Sequence, residues 1–179
     1  MIVDTQGDLR FICDTIDSNL RYAESKHAAF IAFNGIATFG AFGLMRNLNV
    51  SSSAWFTHLV LVMTICLLVC AIITSIYSFM PIIIKEKKAS SVCAGNNAPN
   101  NALFFEHVKF HSVESYERLL CEHYLVNPEN ITPLDRCIIS QIIANAHLAS
   151  RKFALFKRAA AFDMVAVVFA LGGTMLALF

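Results

Sequence analysis

Apolar and polar positions follow two patterns along this chain. From Leu9 to Ala23 the apolar residues recur every three or four positions (Leu9, Ile12, Ile16, Leu20, Ala23), with Asp8, Asp14, Asp17 and Arg21 between them. That is the period of a helix with one buried face. From His27 the apolar run becomes continuous. No Lys, Arg, Asp or Glu occurs between Lys26 and Arg46, between Arg46 and Lys85, or after Asp163. A helix needs about 20 apolar residues to cross hydrocarbon. The pattern therefore predicts three membrane spans, 27–45, 55–84 and 159–179, with an outer loop at 46–54. The third span requires Asp163 to lie near an interface. No proline interrupts the first stretch, so one helix is expected over 8–45, with residues 1–26 as a helix ahead of the membrane.

The C-terminal part repeats this plan in reverse. Thr132-Pro133-Leu134-Asp135 is a helix start: a hydroxyl at the N-cap, a proline whose missing N–H is not needed, and an acid in the first turn. Neither Gly nor Pro follows until Leu171 has passed. A helix of nearly 40 residues is about 60 Å long, too long for the membrane alone, so its polar half should run directly into the third span. Between these arms, 90–101 is a small, polar, turn-rich loop. Residues 103–110 form either a short extended piece or part of a helix. Ser112-Val113-Glu114 caps a further helix from Val113 to about Val126, which ends before Asn127-Pro128. The expected fold is an all-α membrane protein. It has three transmembrane helices and a helical cytoplasmic module over 85–158, built from extensions of helices one and three plus the 85–132 segment. Uninterrupted helicity would transmit a packing change in the module to the bilayer; a break near Lys26 or Arg158 would remove that coupling.

Composition sharpens the class. The 179 residues are 56% hydrophobic and only 15% charged, against roughly 25% charged in an ordinary soluble domain, and mean hydropathy is +0.58. This argues against a soluble enzyme and against disorder. A net charge of +1 announces no overall nucleic-acid field. The cations are polarised instead. Of 14 Lys and Arg, only Arg46 falls between spans one and two. The positive-inside rule then places the N-terminus and the long 85–158 segment on the cytoplasmic side and the C-terminus on the outer side, with Trp55 as an outer interfacial anchor. The first 26 residues carry five acids and no short apolar core before a cleavage site, unlike a signal peptide. Six cysteines follow no metal-ligand spacing, and no metal site or disulfide is expected.

No catalytic signature is present: no phosphate-cradling Gly-rich loop, no G-x-S-x-G and no H-E-x-x-H. An enzyme is not expected. Arg151, Lys152, Lys157 and Arg158 have two readings, a positive-inside anchor or an anion site. Arg151 and Lys152 lie deeper in the module beside Asn145, His147 and Phe153, a mixture of cations, amide and aromatic that suits phosphates and bases. Phe104, Phe105, His107, Lys109, Phe110 and Tyr116 give a second aromatic and basic stretch, most of whose aromatics are expected in the core. Within the spans, Asn34, Thr38 and Asp163 are polar where polarity is costly. They are candidates to line a pore or to link subunits. Gly35, Gly40 and Gly43 permit close helix approach. Three helices enclose too little space for a pathway, so a pore requires an oligomer.

These residues also resemble a known family. Ala23-Glu24-Ser25-Lys26-His27-Ala28-Ala29 resembles the Ala-Asp-x-Lys-Ala-x element that opens the first membrane helix of the Pycsar effectors. Leu103-Phe104-Phe105, then Ser115-Tyr116 and Leu119, resembles that family's Leu-Phe-Phe and Glu-Tyr elements. Gln141-Ile142, Asn145 and Arg151-Lys152-Phe153-Ala154-Leu155 resembles its closing helix before the last span. Glu24 stands where the family has Asp, and Phe153 where it has Tyr. The resemblance covers about residues 8–175. It implies an anti-phage effector of the bacterial inner membrane, controlled by a nucleotide from a companion nucleotidyltransferase or cyclase. The ligand would be a cyclic pyrimidine mononucleotide or, as in the similar Hailong-type effector, a single-stranded deoxyadenosine oligomer. Lys26, Phe104, Phe105, His107, Lys109, Tyr116, Asn145, Arg151 and Lys152 would be the ligand-binding residues. Asn34, Thr38 and Asp163 would line the pore of a homo-oligomer, with a tetramer favoured. The alternative is a non-conducting scaffold or regulatory subunit whose helices dock a partner protein.

Overall fold

The structure is a computed structural model. It describes residues 5–47, 55–80, 101–124 and 131–178, with side chains left aside at 5, 47, 123–124 and 174–178. Five helices carry it: α1 (Thr5–Asn47), α2 (Trp55–Ser78), α3 (Phe105–Val108), α4 (Val113–Tyr124) and α5 (Pro133–Leu178). No strand occurs among the described residues. The helix expected over 8–45 is α1, and the short 103–110 stretch resolves as a helical turn, α3, flanked by loop. The expected loop at 90–100, the outer loop from 48, the end of span two at 81–84 and Cys93 lie outside the described residues.

Two compact units divide the chain. The first takes in Met1–Ala23 and Pro81–Lys152, the second Glu24–Met80 and Phe153–Phe179. In the first, Leu9, Ile12 and Ile16 of α1 and Ile139, Ile142, Ala146 and Ala149 of α5 are buried. The three- and four-residue spacing puts each set on one face. Val108, Tyr116, Leu119 and Leu120 complete the interior. Burying each large apolar side chain contributes about 1.5–3 kcal/mol, so these few residues decide how the unit packs. The start of α5 forms as its sequence predicts. The Asp135 backbone N–H donates to Thr132 Oγ1 at 3.3 Å, and Asp135 Oδ2 accepts from both the N–H and the hydroxyl of Thr132 at 2.8 Å. Two otherwise orphaned groups at the helix start thus satisfy each other.

Two described helices are long and apolar enough to cross a membrane: Gln6–Arg46 of α1, which begins in the first unit and continues into the second, and Trp55–Ser78, the whole of α2, in the second. The third expected span falls in α5, and its side chains from residue 174 lie outside the described residues. Large apolar side chains point outward here: Ile36 is 75% exposed and Phe39 80%. An outward apolar surface of this kind fits lipid or another subunit and does not fit water. The interior is narrow and lined by small groups. α2 buries Val60, Thr64, Leu68, Ala71, Ser75 and Ser78, and α5 buries Leu155, Ala159 and Ala166.

Small residues allow helices to approach closely, and the contact falls at one glycine. A Cβ built on Gly173 would stand 2.6 Å from Val60 Cγ1, whereas Gly35, Gly40 and Gly43 have nothing within 4 Å. Gly173→Ala should therefore destabilise the second unit by about 1–3 kcal/mol through overpacking. Val60→Ala should restore most of the loss, and Gly40→Ala should leave the single chain's stability unchanged. Thermal unfolding of the purified protein, followed by the fluorescence of the sole tryptophan, Trp55, measures all three.

Candidate functional site

The aromatic and basic stretch is built from a turn. Asn101 Oδ1 accepts the Leu103 N–H at 3.0 Å, and the chain enters α3 with Phe105 and Val108 buried as its two anchors. The same geometry leaves Phe104 and Phe110 exposed. Phe104 meets the His107 ring edge-on, with centroids 5.0 Å apart. The Lys109 ammonium donates to Glu106 Oε2 at 2.6 Å and to Ser150 Oγ at 2.8 Å, and lies 4.9 Å from the Phe110 ring centre. Lys109 thereby ties α3 to α5 across 41 residues of sequence. Tyr116 is fully buried and donates its hydroxyl to the Ala102 carbonyl at 2.8 Å. Phe105 and Tyr116 therefore act as floor and brace, and Phe104, His107, Lys109 and Phe110 present the accessible chemistry.

The remaining sequence candidates separate. Asn145, half-buried on α5, donates to Asp17 Oδ1 of α1 at 2.6 Å. Arg151 and Lys152 are half-buried at the end of the first unit's share of α5, and both are engaged by neighbours. Lys26 belongs to the second unit, where its ammonium lies 5.6 Å from the Phe156 ring centre. Of the three polar span residues, Asn34 is fully buried within its own chain, and Thr38 and Asp163 are half-buried. Thr38 returns its hydroxyl to the Asn34 carbonyl at 2.7 Å.

Burial, and then the charge of His107, lowers the pKa of His111. Burial, and then the charge of Lys109, lowers that of His147. Both imidazoles are thereby held toward their neutral forms, chiefly by loss of solvent. Burial and nearby carboxylates raise the pKa of Cys13 and Cys121, which suppresses nucleophilic thiolate at both. Among the described residues no group of His, Cys, Asp and Glu could hold a metal ion.

Sequence reasoning missed three participants: Ser150, which accepts from Lys109, Asp17 as partner of Asn145, and Phe156 beside Lys26. The spacing of acids along the first helix set Asp17 between the apolar positions, with nothing to mark its partner. Ser150 and Phe156 carry no local signal, because their partners are 41 and 130 residues away.

Compared with known proteins, the chain matches the family model described as the Pycsar effector protein domain over residues 8–179. No curated protein and no solved structure matches it.

The two lowered imidazoles give a pH prediction. Folding favours their neutral forms, so the stability they contribute is complete above about pH 6.5, the ordinary imidazole value. It is lost as pH falls from there through the lower folded values. The unfolding midpoint of the wild type should drop between pH 7.5 and 5.5 by more than that of the doubly substituted His111→Gln, His147→Gln protein. Equal drops would mean that other groups set the acid sensitivity.

Proposed function

The chain belongs to the Pycsar effector protein family, membrane effectors of anti-phage defence, and we propose that it is an oligomeric, nucleotide-controlled pore. In this reading the first unit is the cytoplasmic receptor. It binds a cyclic mononucleotide or a single-stranded DNA oligomer made by a companion nucleotidyltransferase or cyclase. The second unit, with a third span from the end of α5, forms a homo-oligomeric channel, a tetramer being favoured, in the inner membrane. The N-terminus is cytoplasmic and the C-terminus outside. The chain itself catalyses nothing.

The observation that carries this is continuity. α1 (Thr5–Asn47) and α5 (Pro133–Leu178) each run without a break from residues of the first unit into residues of the second. A helix hydrogen-bonded throughout transmits rotation along its axis, since bending it requires an interrupted ladder. Ligand chemistry also finds what it needs in the first unit. Phe104 offers a face for base stacking, and Lys109, His107, Asn145, Arg151 and Lys152 are the proposed donors to phosphate and base. Phe105 and Tyr116 support these from the core, and Lys26 sits where α1 enters the second unit. On the membrane side, Asn34, Thr38 and Asp163 line the open pathway. Because Asn34 is fully buried in this conformation, opening requires α1 to turn its seam toward the pore.

Two measurements test the reading. Charge reversal at Arg151→Glu and Lys152→Glu should weaken binding of the cognate probe, a labelled cyclic pyrimidine mononucleotide or deoxyadenosine oligomer, by at least about tenfold. Cells expressing the wild-type chain with its companion enzyme should take up a membrane-impermeant dye during phage attack. If permeability does not change, the pore is wrong and the scaffold alternative takes its place.

A further inference from the structure

The second unit contains polar atoms that its own chain leaves unanswered. Asn34 is fully buried, and neither its Oδ1 nor its Nδ2 has a hydrogen-bond partner. Ser75 is fully buried with a free hydroxyl, and the buried Oδ1 of Asp163 is likewise alone. The threonines of the same helices behave differently. Thr38 and Thr64 return their hydroxyls to the carbonyls of Asn34 and Val60 at 2.7 and 2.9 Å, the usual internal solution for a hydroxyl in an apolar helix. Each buried polar group without a partner costs about 1–3 kcal/mol. Several together in one apolar bundle call for an occupant.

Register places Asn34 and Asp163 at one level and Ser75 about one turn from it. The His27 ring lies 6.1 Å from that of Phe79, the residue that follows the end of α2, and 5.4 Å from that of Phe156 on α5. At the other end Val60 meets Gly173, so α2 and α5 run antiparallel. Only seven residues join α1 to α2, which makes α1 parallel to α5. Asn34 lies seven residues beyond His27, and Asp163 lies seven beyond Phe156. Seven residues are two helical turns, about 10.5 Å, and return to nearly the same face. Asn34 and Asp163 therefore repeat, two turns deeper, the facing relation of His27 and Phe156. Ser75 lies one turn before Phe79, about 6 Å toward the same level. Asp163 falls in the buried seam of α5, four residues after Ala159 and three before Ala166.

We propose that Asn34, Ser75 and Asp163 form a monovalent-cation site inside each protomer's membrane unit, completed by water. The donors are an amide oxygen, a hydroxyl and one carboxylate, all hard oxygens that suit an alkali or alkaline-earth ion. Charge decides between these. One carboxylate and one monovalent cation make a neutral pair, the form that tolerates low dielectric. A divalent ion wants six to eight oxygens, generally with more than one carboxylate. Sodium is the probe of choice. The site rests on the membrane placement of the second unit and not on nucleotide control, so a chain that binds no nucleotide would still show it.

The test is thermal unfolding of the full-length protein in detergent, in sodium, potassium and N-methylglucamine chloride at constant ionic strength. Sodium should raise the wild-type midpoint over N-methylglucamine by roughly 3–5 °C near tenfold excess over its dissociation constant, and the rise should saturate. Asp163→Asn keeps the shape of the side chain and should abolish the sodium-dependent rise. Ser75→Ala should weaken it. Thr64→Ala, whose hydroxyl is satisfied within its own helix, should keep it. Identical wild-type midpoints in the three salts would overturn the proposal. So would an undiminished rise in Asp163→Asn, or a rise lost equally in Thr64→Ala.

Discussion

Everything in this protein hangs on a narrow buried stripe. On α1 the stripe passes through Leu9, Ile12, Ile16, Ala23, His27, Asn34 and Ala41, and on α5 through Ile139, Ile142, Ala146, Ala149, Ala159 and Ala166. Three- and four-residue steps keep it on one side of each helix. Within the first unit water drives its burial, and its large members are Leu9, Ile12, Ile16, Ile139 and Ile142. Within the second unit the surroundings are apolar on the outside as well. There the hydrophobic effect no longer distinguishes inside from outside, and close packing of small groups takes over. The change from Ile139 and Ile142 to Ala159, Ala166 and Gly173 along α5 is that change of driving force written in side chains.

The same constraint explains where polarity is placed. In the first unit polar groups are paired: Lys109 with Glu106 and Ser150 and Asn145 with Asp17 where they are half-buried, and Tyr116 with the Ala102 carbonyl in the interior. These bonds fix a short helical turn and a helix pair, and they leave aromatic and cationic groups near the surface. In the second unit polarity sits in the seam itself, at Asn34, Ser75 and Asp163. A seam residue cannot be exposed without turning its helix. Exposed aromatic and cationic groups in one unit and sequestered polar groups in the other, joined by unbroken helices, are what the proposed ligand-controlled effector would need.

Much of the fold was legible because helix signals are local. The apolar period of 9–23, the missing charges of 27–45, and the cap at Thr132–Asp135 each lie within a few residues. The helices follow from them almost to their ends. The site was legible only in outline. Phe104, Phe105, His107, Lys109, Phe110 and Tyr116 were a single stretch in sequence. The α3 turn sorts them into exposed and buried because its period differs from that of a strand. Lys109 and Arg151 could be seen to be basic, but not that Ser150 would receive the Lys109 ammonium.

The sequence by itself determined the helices, their apolar lengths, the cap that starts α5 and the family, since each of these is a property of neighbouring residues or of their order. Only the tertiary structure decided which aromatics are floor and which are surface, and that Gly173 takes the close contact while Gly40 stays open. Only it showed that Asn34 is buried without a partner. Those outcomes depend on which helix faces meet, and meeting faces are chosen by packing between residues far apart in the chain.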